Sequence, residues 1–216
     1  MGGRDMDFSK VRSGLERRGF KVYIASDSEE ARRIVMDELL KGVKTLGKGG
    51  SNTLKETGIW DELVRRDALE GEDRIELFAT TLYKMKGLDP DIALKKGKTA
   101  DAYICSANAI SEDGTIFNID GIGNRVGSII YGPDKVIMVV GRNKIYPDAE
   151  TAWQQLKNVT CVRHAKRNEA GTPCTVLDRC TMCISPKMEC KVTSVLSYAL
   201  PGREYHIVLV DEVLGY

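Results

Sequence analysis

Residues Lys135–Val140 read KVIMVV, an apolar run with no polar residue alternating through it. A half-exposed strand alternates; an uninterrupted run implies cover on both faces, as in parallel sheets flanked by helices. His206–Val210 (HIVLV) and Ala102–Ser106 (AYICS) read the same way. Further out, Lys21–Ser26 (KVYIAS), Val43–Leu46 and Arg74–Phe78 are short strand-like runs, and Thr115–Ile119 an extended segment closing the same region. Helical periods separate them. Ser26 or Asp27 caps a helix with Ala31, Ile34, Val35, Leu39 and Leu40 as its apolar stripe, ended by Gly42. Ile59, Trp60, Leu63 and Val64 share a second helical face. Met85–Lys98 reads as helical with Pro90 near its start, and Gly121–Tyr131 turns into a short helix. Asp148 caps a last helix with Ala149, Ala152, Trp153, Leu156 and Val159 inward. Strands spaced by helices give an α/β fold with a largely parallel sheet and right-handed crossovers. The reading is one domain over residues 1–216, with a cysteine-rich excursion at 161–191 in which no period is visible.

The chain has 216 residues, 42% hydrophobic and 29% charged, enough to bury a core. Its 32 basic and 31 acidic residues leave a net charge of +1, which carries neither a nucleic-acid nor a membrane-surface footprint. No run is long and apolar enough to span a bilayer, and the charged stretch Met1–Arg18 lacks the apolar centre of a signal peptide. The expected location is the cytoplasm, a reducing compartment in which six cysteines point to metal binding rather than disulfides.

Cys174-x5-Cys180-x2-Cys183-x6-Cys190 brings four thiols onto one short stretch. A [4Fe–4S] cluster needs about four thiolates converging from an irregular loop, and Gly171, Thr172, Pro173, Ser185 and Pro186 keep this one irregular. Arg163, Lys166, Arg167, Arg179, Lys187 and Lys191 are at hand to offset a cluster's negative charge. Structural zinc also takes four thiolates and is the alternative, although zinc ribbons usually present two CxxC knuckles where this chain has one. Unligated cysteines packed as small hydrophobes are the plainer reading. Cys161 is a candidate substitute ligand, and with only three protein ligands one iron would be open to substrate as a Lewis acid. Cys105, in an apolar strand, reads as core.

The turn Gly47–Asn52 (GKGGSN) joins a strand to a helix and can offer backbone N–H groups to an anion, though it is neither a Walker loop nor a dinucleotide fingerprint. A plain tight turn is the competing reading. From Asn108 to Lys144, polar residues crowd the ends of apolar strands, where ligands bind in open α/β sheets. Turns at Asp113-Gly114 and Asp120-Gly121, with Asn124 as a cap, explain the same residues without a ligand. His164 and His206 match no base or ligand spacing.

The run from Asn108 to Ile145, NAISEDGTIFNIDGIGNRVGSIIYGPDKVIMVVGRNKI, resembles the LUD-domain family of lactate-utilisation proteins. Thr172–Cys190 (TPCTVLDRCTMCISPKMEC) resembles the cysteine segment of its stand-alone members, and GKGGSNTLKETGIWDEL and HIVLVDEVLGY match their glycine turn and ending. The resemblance implies a fold like the ribose-5-phosphate isomerase, glucosamine-6-phosphate deaminase and CoA-transferase group. It also implies a link to oxidation of L-lactate to pyruvate beside iron–sulfur and flavin-like redox partners. By motif position, Gly49, Ser51 and Thr53 would line a ligand cleft with Asn108, Asp120, Asn124 and Lys144, and Cys174, Cys180, Cys183 and Cys190 would ligate the cluster. Replacing Asn124 or Lys144 by Ala is expected to weaken binding of a small anion while leaving the melting temperature nearly unchanged.

Two functions follow as expectations. One is an electron-transfer or accessory component in oxidation of a small 2-hydroxy acid, working with redox partner proteins, since no flavin or nicotinamide motif equips the chain to act alone. The alternative is an enzyme or sensor for a sugar phosphate, CoA ester or other small anion, with the cluster or zinc structural. A homo-oligomer is compatible with either, as is a zinc-stapled interaction module as a third possibility.

Overall fold

The computed structural model describes residues 7–216. Residues 1–6, which open the charged N-terminal stretch and the one-domain span, lie outside the described residues. The strands are β1 (Lys21–Ala25), β2 (Thr45–Lys48), β3 (Glu76–Phe78), β4 (Ala102–Cys105), β5 (Ala109–Ser111), β6 (Ile116–Asp120), β7 (Lys135–Gly141), β8 (Ile145–Tyr146), β9 (Val192–Leu196) and β10 (Glu204–Val210). Six form a sheet in the order β1-β10-β7-β4-β2-β3, parallel throughout. KVIMVV lies near its middle, between β10 and β4.

The strand period sorts side chains onto two cores. On β7, Ile137 and Val139 join Ile104 and Val208 on one face. Val136, Met138 and Val140 join Tyr103, Ile207 and Leu209 on the other. All are nearly or fully buried, and each large aliphatic side chain so placed stabilises the fold by about 1.5–3 kcal/mol.

The helices are α1 (Ser9–Arg17), α2 (Ser28–Arg33), α3 (Thr53–Glu56), α4 (Ile59–Asp67), α5 (Thr80–Met85), α6 (Pro90–Gly97), α7 (Asn124–Tyr131), α8 (Ala149–Gln155), α9 (Cys161–Arg167) and α10 (Pro173–Leu177). Asp27 and Asp148 cap α2 and α8 as expected, accepting from the N–H of Glu30 at 2.8 Å and of Thr151 at 2.7 Å. None of the described helices is long and apolar enough to cross a membrane.

The structure departs from the sequence expectations in five places. Ala149, expected inward, is exposed at the start of α8. Thr172 and Pro173, expected to keep the cysteine loop irregular, open the short helix α10, which carries Cys174. Met85–Lys98 is not one helix: Gly87 adopts φ +69°, the Asp89 carboxylate accepts from Asp91 N–H, and the chain starts afresh at Pro90. Thr115–Ile119 is extended, but its strand β6 belongs to a second sheet of order β8-β5-β6-β9, with β6 antiparallel to both β5 and β9. Cys161 lies in a helix, because α8 runs on through a π-helical turn at Leu156–Thr160 into α9, burying Leu156, Val162 and Ala165. The second sheet adds Ile110, Ile116, Ile145 and Leu196 to one core of the main sheet. Its other face packs Ala109, Phe117 and Ile119 against Ala152 and Leu156, with Cys161 and Cys190 at the margin. That packing anchors both ends of the cysteine segment.

Candidate functional site: a cationic cavity walled by cysteines

Because the six strands are parallel, their carboxyl ends share one edge. Lys48 ends β2, Ser106 follows β4, Arg142–Lys144 turns after β7, and the tail from Asp211 follows β10. Facing this edge, α9 and the loop after it extend from the second sheet. Between them lies a cavity of about 760 Å³.

Five of the seven residues assigned to a ligand cleft line this cavity: Ser51, Asn108, Asp120, Asn124 and Lys144. The other two lie just behind it. Thr53 is fully buried, and its Oγ1 accepts from Lys144 Nζ at 2.8 Å. Gly49 leaves room for its neighbours, since a Cβ there would come within 3.0 Å of the Tyr103 hydroxyl and 3.1 Å of Cys105 Cβ. Asp120 is structural as well as cavity-facing. Its carboxylate accepts from the Val126 N–H at 2.6 Å and from Arg125 Nε at 3.0 Å. Asn124 opens α7 directly after Gly123, whose φ of +74° sets the turn.

Lys144 is 4% exposed. Its Nζ also donates to Ser106 Oγ at 3.0 Å, and burial lowers its pKa from 10.5 to about 8. Lys48 is similar, with its pKa lowered to about 8 by burial, its Nζ 4.5 Å from the Trp60 ring centroid and donating to Gly49 O. Lys157 is the third buried lysine on the cavity wall.

Cys174, Cys180, Cys183 and Cys190 all line the same cavity, and Cys161 joins them from α9. Cys105 is fully buried in β4 outside that lining, its thiol pushed up to about 12 by burial. Cys190 has its thiol lowered to about 6, chiefly by the S–H of Cys161 and also by the Lys157 ammonium. Cys161 is correspondingly pushed up. Among the described residues, no three His, Cys, Asp or Glu side chains converge closely enough to hold a single metal ion. By chemistry the donor set would fit a polynuclear cluster: four half-buried thiols, Cys174 on the short helix α10 and the other three on the irregular chain after it, with Cys190 favoured as thiolate beside the buried Lys157.

His164, unassigned from sequence, lines the cavity beside the cysteines. Its Nε2 lies 3.2 Å from Glu189 Oε2 and its Nδ1 3.4 Å from the Tyr216 hydroxyl, and burial lowers its pKa. His206 is buried on β10, with Nδ1 3.0 Å from the Tyr23 hydroxyl. Sequence reasoning missed Lys48, Lys157 and Arg125. Arg125 spans Asp120, the Asn108 side-chain oxygen at 2.7 Å and Ile119 O at 2.7 Å, so it stitches β6 to the cavity floor. Lys48 did carry a signal, as a charged residue closing a buried strand (TLGK).

The family model described as the LUD domain matches residues 8–210. Among solved structures, a DUF162 family protein from Deinococcus radiodurans is similar at 15% identity with a TM-score of 0.49, covering 95% of this chain and 99% of that one. No curated protein matches the chain.

Proposed function

Taking as premise that the chain belongs to the LUD-domain family, we propose that it holds an iron–sulfur cluster through Cys174, Cys180, Cys183 and Cys190 and binds a small anion beside it, as an electron-transfer or accessory component in oxidation of a 2-hydroxy acid such as L-lactate to pyruvate. One observation carries the reading: the four cysteines line the same cavity as three buried lysines, none of them in an ion pair among the described residues. A thiolate-ligated cluster and a carboxylate ligand both bring the negative charge that such a cavity lacks.

The division of labour follows from position. Lys157 faces Cys190 and offsets thiolate charge. Lys48 and Lys144, on the strand-end side, attract and orient the carboxylate of the 2-hydroxy acid. Arg125 is held by Asp120 and keeps the Asn108 amide in place. When bound, the cluster would supply one-electron transfer, or a Lewis-acid iron were one corner left open. His164, held between Glu189 on Nε2 and Arg167 on Nδ1, is the imidazole on the cavity wall and would be the base for the hydroxyl proton of a 2-hydroxy acid once a ligand displaces one of those partners.

The test is metal content and spectra of protein purified without oxygen. About four irons per chain, with visible absorption that bleaches on reduction and is lost in Cys183→Ser, is the expected result. One zinc and no visible absorption would sink the cluster reading and leave the loop a structural staple. A cavity of about 760 Å³ exceeds what lactate needs, so a sugar phosphate or CoA ester is the second reading. Thermal-shift titration separates the two, since the true ligand raises the melting temperature by mass action.

A further inference from the structure

We propose that Lys144 is a nucleophile that captures the carbonyl of a small 2-oxo acid as a covalent imine. The inference rests on the small-anion reading above and adds chemistry to it.

The argument begins with hydrogen-bond bookkeeping around Lys144 Nζ. Ser106 Oγ donates to Ala107 O at 3.1 Å, and Thr53 Oγ1 donates to Leu214 O at 3.4 Å. Each hydroxyl has only one hydrogen to give, so both accept from Lys144, at 3.0 and 2.8 Å. Two of the three non-carbon corners of the nitrogen are thereby taken by N–H bonds. In the free amine the third corner is the lone pair. The tail backbone closes off another approach, since a Cβ on Gly215 would lie 3.2 Å from Nζ. Lys144 still lines the cavity, which leaves the remaining corner as the one through which a ligand would be met.

The surroundings raise the share of free amine, although the ammonium still predominates at neutral pH. Lys144 has no ion-paired carboxylate among the described residues and is 4% exposed; Arg125 nearby works against its charge, opposed by the Glu56 carboxylate and the Cys105 sulfur. Burial is the largest influence on its basicity and lowers it to about 8. At neutral pH the reactive free base is then on the order of 100-fold more abundant than for an exposed lysine near 10.4. A buried lysine used only to hold an anion would gain from staying charged.

The step balances without a redox partner. The Nζ lone pair attacks the carbonyl carbon and the C=O π pair moves to oxygen. That oxygen collects the two amine protons and leaves as water, and C=N remains. Ser106 and Thr53, already bonded to Nζ, are placed to relay those protons. As the neutral amine Lys144 no longer holds the carboxylate, which then falls to Lys48 and Arg125 on the same cavity wall. A 2-hydroxy acid has no ketone carbonyl and binds there without the covalent step, so the imine distinguishes product from substrate.

The experiment treats the full chain with pyruvate and cyanoborohydride, followed by intact mass and peptide mapping. L-Lactate replaces pyruvate in a parallel arm, and thermal shifts are recorded for both. The expected result is one reduced pyruvate adduct per chain on the peptide carrying Lys144, with labelling there on the order of 100-fold above the exposed lysines and above that on Lys48, which shares the lowered basicity but not the two hydroxyl partners, and none with lactate. Lys144→Arg, which keeps the charge, loses the adduct while pyruvate still shifts its melting temperature. Because the mapping is done on the unaltered chain, the conclusion does not depend on the variant folding. A melting shift with pyruvate but no adduct on Lys144 overturns the nucleophile and leaves the anion site standing. No shift with either acid and no adduct removes both.

Discussion

Lys144→Met should make the ligand-free protein more stable near neutral pH and less stable in strong alkali. Lowering the Lys144 pKa from 10.5 to about 8 means that the fold disfavours its charged form by about 3 kcal/mol. Methionine removes that penalty and is of similar length, but forfeits the bonds to Thr53 and Ser106, at about 1 kcal/mol each. The net is a gain of about 1 kcal/mol near pH 7, or about 2–4 °C in melting temperature for a chain of this size. The sign then reverses with pH. Between about 8 and 10.5 the unfolded chain keeps a proton that the folded one has released, so wild-type stability rises with pH through that window. The variant lacks this rise, and above about pH 10.5 it should be the less stable by about 2 kcal/mol. Urea denaturation of both proteins across that range is the assay. Parallel curves, with Lys144→Met less stable throughout, would show that the cation is compensated within the fold and would refute the burial argument. From sequence alone Lys144 reads as a cleft residue whose loss leaves stability unchanged; its burial is what alters that expectation.

Asp120→Ala should cost about 3–5 kcal/mol, because it leaves the largely buried Arg125 guanidinium without its carboxylate and the Val126 N–H without an acceptor; chemical denaturation reads it directly. Gly14→Ala should destabilise by at least about 1–3 kcal/mol, since the new Cβ would stand 2.3 Å from Glu112 O where α1 crosses the turn before Gly114; a wild-type melting temperature would mean that α1 can lift away. Affinity for a carboxylate ligand should fall as pH rises through about 8, where Lys48 and Lys144 lose their charge; calorimetric titration at several pH values checks it, and a flat profile would point to Arg125 as the anchor.

The main sheet was legible because burial on both faces leaves long apolar runs, and β7, β10 and β4 carry them without interruption. The second sheet was not. Its strand β9 (VTSVL) buries only Ser194 and Leu196, and β5 is three residues long, so neither shows a period longer than noise. Helix α1 was hidden by its charge, although Phe8, Val11 and Leu15 lie at helical spacing and are buried. The cysteines were legible from spacing as a set. Their sharing of a cavity with Lys48 and Lys144 was not, because it depends on α9 and the following loop folding back over the strand ends from the unread second sheet.

The pattern of buried charge separates scaffold from site. Asp67 and Asp120 are both buried, and each has a cation: Lys86 for the first, Arg125 for the second. Asp67 also accepts from Leu77 N–H and Asp120 from Val126 N–H, so these carboxylates fasten secondary structure in the way a stable fold requires. Lys48, Lys144 and Lys157 break that rule together and in one place. Hydrogen bonds to hydroxyls and carbonyls or contact with an aromatic face lessen the cost of burying an ammonium without cancelling its charge. Hydrophobic residues of similar length would fill the same space at lower cost. Lys157 has the Cys190 thiolate to answer it, but Lys48 and Lys144 have no ion-pair partner among the described residues; what all three have in common is the cavity and whatever negative charge it holds or admits.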